Sequence, residues 1–186
     1  KITMQLPEKY ILFVGSRYSY KNFNRFIEAF SLLAQKDSKL YLICTGNKFS
    51  QGEEDKLSKL HIKNKTLQIN ASDKELSELY TRASLFVFPS LYEGFGIPIL
   101  EAYACHCPIA ISNTSCFPEI AGDAAIYFDP YSVKDIANTI EAIIYNPQKA
   151  NELIQKGIKR LELYSWEKTV VETEETYKKA IQGYNF

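Results

Sequence analysis

The sequence lacks an excess of either charge, a long apolar segment and a recognisable secretory leader. Its 22 Lys and Arg residues balance 22 Asp and Glu residues, so the formal net charge at neutral pH is zero. This balance argues against binding nucleic acid by bulk electrostatic attraction. No apolar run is long enough to span a bilayer, and no signal peptide is visible at the start. The chain opens on Lys1 rather than Met, so we expect it to be part of something longer.

Cysteine and histidine are also scarce, with four of the first and two of the second. Cys105-His106-Cys107 superficially resembles a metal-binding segment. Zinc sites, however, usually space paired cysteines more widely and need a full set of protein ligands. We therefore expect a helix end and a turn there, no metal site, and no role for His61 or His106. Cys44 falls in an apolar run and should pack as a small hydrophobic residue. An intracellular, reducing setting fits this cysteine content.

What the sequence does contain is a regular alternation of short apolar runs and amphipathic stretches. The runs predict strands over residues 10–15, 39–44, 66–69, 85–88, 108–112 and 124–128. The stretches predict helices after Asn22, over 52–60, after Ser72 or Asp73, over 97–105 and 118–121, from 132, over 147–164, and over 165–181. Short apolar strands joined by helices are typical of a parallel sheet covered on both faces. We predict an α/β, Rossmann-like, doubly wound parallel sheet of about six strands.

In such open sheets, ligands bind beyond the carboxyl ends of the strands. Five loops of this chain fall at that edge, after the first five predicted strands. The loop after the first strand carries Arg17 and Lys21, two cations that could neutralise a diphosphate. Asn22 is placed to cap the helix that follows it.

The fourth strand leads into the most informative stretch, residues 90–102. Two glycines there surround Phe95, and Pro98 follows at a position suited to a first helical turn. The helix from Ile97 is apolar on nearly every side, so we expect it to be buried. Glu101 is the exception and would need hydrogen-bond donors in a buried setting. Glu93 and Glu101 bracket a helix start, which is a favourable anion site. This arrangement indicates a pocket for a sugar linked to a nucleoside diphosphate.

The segment from Glu93 to Glu101 resembles the E-x7-E motif, with its internal G-F-G-x-P, of retaining glycosyltransferases of the GT-B fold, in particular the GT4 family. The resemblance covers nearly the whole chain but only the second, sugar-donor-binding half of such an enzyme. It implies that residues 1–186 form a single C-terminal domain and that the N-terminal acceptor domain is absent.

The resemblance also implies roles for individual residues. Arg17 and Lys21 would grip the phosphates of the sugar donor as the leaving group departs, and Glu93 would contact the transferred hexose near its reacting face. Glu101 would accept hydrogen bonds from the ribose hydroxyls. Further contacts to base, phosphates and sugar are expected from Gly15, Ser16, Thr45, Gly46, Asn70, Ala71, Gly94, Phe95, Gly96 and Ile97.

The implied activity is transfer of a hexosyl group from a nucleoside-diphosphate sugar to a glycan or lipid-linked acceptor. The resemblance implies no cofactor and no metal, because protein cations would replace a metal ion, and the chain contains no Asp-x-Asp. We expect the isolated chain to bind nucleotide sugar without transferring it. The expected location is the cytoplasm. For a lipid-linked acceptor, the full-length enzyme could also attach peripherally to the inner face of the membrane. Two alternatives stay open: a non-catalytic nucleotide or sugar-phosphate binding module, and half of a GT-B-like epimerase or phosphorylase.

Overall fold

A computed structural model describes residues 5–183 of the chain. Its strands are β1 (Tyr10–Phe13), β2 (Tyr41–Thr45), β3 (Thr66–Ile69), β4 (Leu85–Phe88), β5 (Ile109–Ser112) and β6 (Ile126–Phe128). Its helices are α1 (Phe23–Lys36), α2 (Gln51–Lys59), α3 (Asp73–Arg82), α4 (Ile97–Ala104), α5 (Phe117–Ala121), α6 (Val133–Ile144), α7 (Pro147–Leu161) and α8 (Trp166–Gly183). Short 3-10 turns cover Ser19–Lys21 and Lys63–Lys65.

Within residues 5–183 the strands form one parallel sheet in the order β3-β2-β1-β4-β5-β6. The chain begins in the middle of the sheet at β1 and winds outward through β2 and β3. It then returns to β4, on the other side of β1, and winds outward through β5 and β6. This confirms the predicted doubly wound fold. The winding direction reverses between β1 and β4, and ligands of open α/β sheets bind at such a reversal.

The strands are short and mostly apolar, and at the centre of the sheet both of its faces are covered. Ile11 and Phe13 of β1 belong to a core layer that includes buried side chains of α1 and α6. Tyr10 and Leu12 face the opposite layer, which is built with α3, α4 and α5. Every residue of β1, β4 and β5 is buried. The loops at the carboxyl edge are therefore anchored in a closely packed centre.

Two local expectations are wrong in detail. Asn22 precedes α1, but its side chain makes no cap hydrogen bond; its Nδ2 donates to the carbonyl of Pro130 at 2.7 Å instead. Asn22 adopts a φ of 57°, a left-handed conformation that asparagine tolerates better than most residues. Helix α4 is not buried on all sides, since Ile97 is 46% exposed and Ala104 is also exposed. Ser165 caps the start of α8, where the Lys168 N–H donates to Ser165 Oγ at 3.0 Å.

Helix α8 is solvent-exposed along its entire length, from Trp166 to Gly183. Its apolar side chains, among them Val170 and Ile181, stand open to solvent. No helix in residues 5–183 combines the length and apolar character needed to cross a bilayer.

Helices α4 and α7 approach closely because α7 carries a glycine where they meet. A Cβ added to Gly157 would lie 2.4 Å from Cδ1 of Tyr103, and Tyr103 is itself buried. Gly52, in α2, offers a matched comparison, because a Cβ there would meet nothing within 4 Å.

We expect Gly157→Ala to lower the free energy of unfolding by about 2 kcal/mol, because overpacking against Tyr103 outweighs the better helix propensity of alanine. Gly52→Ala should instead raise it by about 0.5 kcal/mol, since only the propensity changes. Urea unfolding of both variants measures the difference. Equal effects of the two substitutions would contradict the close packing of α4 on α7.

Candidate functional site

The loops that follow β1, β2, β4 and β5 are joined to one another at the carboxyl edge of the sheet. The N–H of Gly15 donates to Thr45 Oγ1 at 3.1 Å, which links the first two loops. The N–H of Leu91 donates to the carbonyl of Tyr20 at 2.7 Å, which links the first loop to the fourth. The structure therefore brings together at one edge four of the five loops that the sequence analysis placed there.

The first two loops touch through their glycines. Gly46 has a φ of 98°, and a Cβ at this position would lie 2.9 Å from the carbonyl oxygen of Gly15. Only glycine combines this conformation with so close an approach. Ser16 follows Gly15 and is partly exposed. The β1 and β2 loops therefore lie backbone against backbone where these two glycines meet.

Lys21 and Glu93 form an ion pair between the β1 and β4 loops. Their side chains meet at 2.6 Å, and only 13% of the lysine and 16% of the glutamate side chain is exposed. The ammonium also lies 5.1 Å from the ring centroid of Phe88, which is buried at the end of β4. The structure thus brings two of the predicted catalytic residues together.

The backbone of Glu93 is held by side chains from the β5 loop, which the sequence analysis did not identify. Ser115 Oγ donates to the carbonyl of Glu93 at 2.7 Å and accepts from its N–H at 3.2 Å. Cys116 Sγ contacts the same carbonyl at 3.4 Å and that of Phe95 at 3.1 Å. The only hint of these contacts in the sequence is that Ser115 and Cys116 lie in a loop predicted at this edge of the sheet.

The start of α4 is flanked by exposed residues, although Gly96 itself is buried. Gly96 occupies the N-cap position with a φ of 99°, and a Cβ there would crowd Ile99 and Phe117. Gly94 is exposed, and Phe95 is 42% exposed. Pro98 has no backbone N–H, and the N–H of Ile99 donates to the carbonyl of Gly96 at 2.9 Å, so this helix start offers an anion chiefly the positive end of its dipole. The exposed neighbouring residues leave the predicted anion site accessible.

Glu101 lies on the second turn of α4 and accepts a hydrogen bond from buried Tyr80. The Tyr80 hydroxyl of α3 donates to Glu101 Oε2 at 3.1 Å. A carboxylate in this setting needs a hydrogen-bond donor, and Tyr80 provides it. The sequence alone did not indicate which residue would do so. Burial raises the pKa of Tyr80 well above its ordinary value, and the nearby Glu101 carboxylate raises it further. Tyr80 therefore remains a protonated donor.

Arg17 has protein partners on the β2 side of its loop. Its Nε donates to Glu53 Oε1 at 2.7 Å, and the Arg17 side chain is only 5% exposed. The remaining guanidinium nitrogens donate to backbone carbonyls of Thr45, Asn47 and Lys48. Contact with donor phosphates would require release of these bonds, so the predicted catalytic role of Arg17 stays a prediction.

The residues predicted to hold the nucleobase follow β2 and β3. Asn70 is exposed and Ala71 is partly exposed at the end of β3. Thr45 is buried and carries the bond from Gly15 described above. Gln68, which the sequence analysis did not single out, donates from Nε2 to the carbonyl of Gly46 at 2.6 Å. These contacts fix the backbone of the β2 loop beside β3.

Known proteins with similar sequences include glycosyltransferases. Residues 1–160 match the profile of the family "Glycosyl transferases group 1". The chain is 32% identical over 176 residues to O-antigen chain mannosyltransferase B of Escherichia coli, which covers 91% of this chain and 45% of that protein.

Solved structures share the fold. The C-terminal domain of a glycosyl transferase group 1 family protein from Francisella tularensis has a TM-score of 0.74 at 24% identity, covering 85% of this chain and 87% of that one. An Anabaena protein solved in complex with UDP and glucose has a TM-score of 0.78 at 20% identity, covering 92% of this chain and 48% of that one. The chain thus spans less than half of the E. coli and Anabaena proteins.

Proposed function

The chain belongs to the glycosyl transferase group 1 family and has the fold of a GT-B C-terminal domain, and from this premise we propose that it binds the sugar donor of a retaining hexosyltransferase. The donor would be a nucleoside-diphosphate sugar, and the hexose would be mannose, as the name of the E. coli relative suggests. The acceptor would be a hydroxyl group of a glycan or of a lipid-linked sugar.

One observation carries this proposal: the Lys21–Glu93 ion pair in the loops beside the start of α4. When a diphosphate arrives, the Lys21 ammonium can turn from carboxylate to phosphate, and the helix start adds the positive end of its dipole. Together they would stabilise the negative charge that develops on the departing phosphate. Glu93, once released, would accept hydrogen bonds from hydroxyls of the transferred hexose.

Glu101 would accept hydrogen bonds from the ribose hydroxyls, and the loops after β2 and β3 would lie along the base. The positive charge of Lys21 would replace a metal ion, so we propose a reaction without metal or cofactor. The acceptor site would come from an N-terminal domain of the same enzyme. We place the reaction in the cytoplasm, and peripheral attachment to the inner face of the membrane would suit a lipid-linked acceptor.

The proposal predicts saturable binding when the chain is titrated by calorimetry with GDP, UDP, GDP-mannose and UDP-glucose in the presence of EDTA. We expect one nucleotide to bind preferentially, its sugar conjugate to bind as well, and Glu101→Ala to remove most of the heat. The chain alone should transfer no sugar to oligosaccharide acceptors. Absence of binding to all four compounds would overturn the proposal, and measurable transfer by the isolated chain would overturn the need for a second domain.

A further inference from the structure

Tyr80 is a buried tyrosine whose hydroxyl reaches a predicted ligand-binding carboxylate. It is 1% exposed, and its ring packs edge-on against Phe86 of β4 at 5.2 Å between centroids. Its hydroxyl donates to Glu101 Oε2 at 3.1 Å across the interface between α3 and α4. The ring is held by the core, so the position of the hydroxyl is fixed by the fold rather than by the loops.

The carboxylate of Glu101, in contrast, stands at the boundary with solvent. The residue is partly exposed, and within residues 5–183 no other hydrogen bond to this carboxylate is present. Tyr80 occupies one lone pair of Oε2, which leaves Oε1 to accept hydrogen bonds from a ligand. Without the tyrosine hydroxyl, the glutamate side chain would be free to sample other rotamers.

We propose that Tyr80 is a positioning residue that holds the Glu101 carboxylate in the orientation that binds the ribose hydroxyls. This inference rests on the proposed function, because it assigns Tyr80 to the same nucleotide site. Tyr80 does not touch the ligand itself. Its contribution is preorganisation: the carboxylate need not be immobilised when the nucleotide binds.

The test compares a ribonucleotide with its counterpart lacking both ribose hydroxyls. Tyr80→Phe keeps the ring and its packing and removes only the hydroxyl. We expect it to weaken binding of GDP or UDP, whichever the chain binds more tightly, by about tenfold, and to leave the affinity for the 2′,3′-dideoxy form unchanged. Calorimetry on the wild-type chain and the variant gives both affinities.

Tyr10→Phe is the matched control, because Tyr10 is equally buried and its hydroxyl also donates one hydrogen bond, to the carbonyl of Leu79 in α3 at 2.7 Å. It should change stability without altering the preference for ribose. In a Glu101→Ala background, Tyr80→Phe should have no further effect on nucleotide affinity, since the carboxylate it positions is gone.

The outcomes separate the two proposals. Equal weakening of the ribose and dideoxy forms, or no weakening of either, would overturn the positioning role and leave the proposed function standing. A wild-type chain that binds both forms equally would overturn the positioning role and the role of Glu101, but not nucleotide binding. A wild-type chain that binds neither GDP nor UDP would overturn both proposals.

Discussion

Replacing Lys21 by methionine is expected to weaken the binding of a nucleoside diphosphate to the chain by about 100-fold, because a nearly buried ammonium would no longer face the phosphates. Methionine keeps an apolar stem of similar length against Phe88. The loss also leaves Glu93, paired with Lys21 at 2.6 Å, as an uncompensated negative charge near the incoming anion. Both effects act in the same direction, and calorimetric titration with GDP and UDP measures their sum.

The double variant Lys21→Met with Glu93→Gln separates these effects. Removing the carboxylate should recover part of the lost affinity, because repulsion between Glu93 and the diphosphate disappears. Glu93→Gln alone should tighten binding of the bare diphosphate, since Lys21 would no longer be shared with a carboxylate. If the double variant recovered wild-type affinity in full, Lys21 would act only by neutralising Glu93 and would not contact phosphate.

A second Lys–Glu pair provides the control for nonspecific electrostatics. Lys36 and Glu141 meet at 2.9 Å, but the lysine side chain is 61% exposed, and the pair joins α1 to α6 outside the site described above. Lys36→Met changes the net charge by the same amount as Lys21→Met. It should leave nucleotide affinity unchanged within about twofold, because an exposed, solvent-screened charge contributes little.

The sequence predicted the scaffold well because periodicity and strand length report burial directly. Runs such as Leu85–Phe88 are apolar at every position, which indicates a strand covered on both faces. The five loops predicted at one edge follow from the parallel arrangement alone. Bounds differed by only a few residues, for instance where α5 begins at Phe117 rather than Pro118.

Side-chain partners could not be predicted in the same way, because they depend on strand order. Strand β1 lies between β2 and β4, so a cation in its loop can turn to either neighbour. Arg17 turns toward Glu53 on the β2 side, whereas Lys21 turns toward Glu93 on the β4 side. Sequence spacing contains no information on this choice. The Tyr80–Glu101 bond was missed for a related reason, since it joins two helices whose contact only the tertiary structure defines.

Arg17 gives the second large effect, on stability: Arg17→Ala is expected to lower the free energy of unfolding by about 3 kcal/mol, because it breaks a largely buried ion pair and strips three carbonyls of a donor. The guanidinium also lies 4.7 Å from the ring centroid of Phe49, a contact that alanine removes as well. Urea unfolding at neutral pH measures the loss. Glu53→Gln and the double variant complete a cycle that isolates the Arg17–Glu53 coupling.

The same loss should depend on pH. Burial tends to raise the pKa of Glu53, but hydrogen bonds from Ser50 and Arg17 outweigh it and hold the pKa below its ordinary value. A carboxyl group with a lowered folded-state pKa stabilises the fold above its unfolded pKa of about 4.3, and this contribution disappears as the pH falls through the folded value. The gap between wild type and Arg17→Ala should therefore be widest above about pH 5 and shrink in more acidic solution. A variant that unfolds like the wild type at every pH yet no longer binds nucleotide would instead place Arg17 at the phosphates, as the sequence alone predicted.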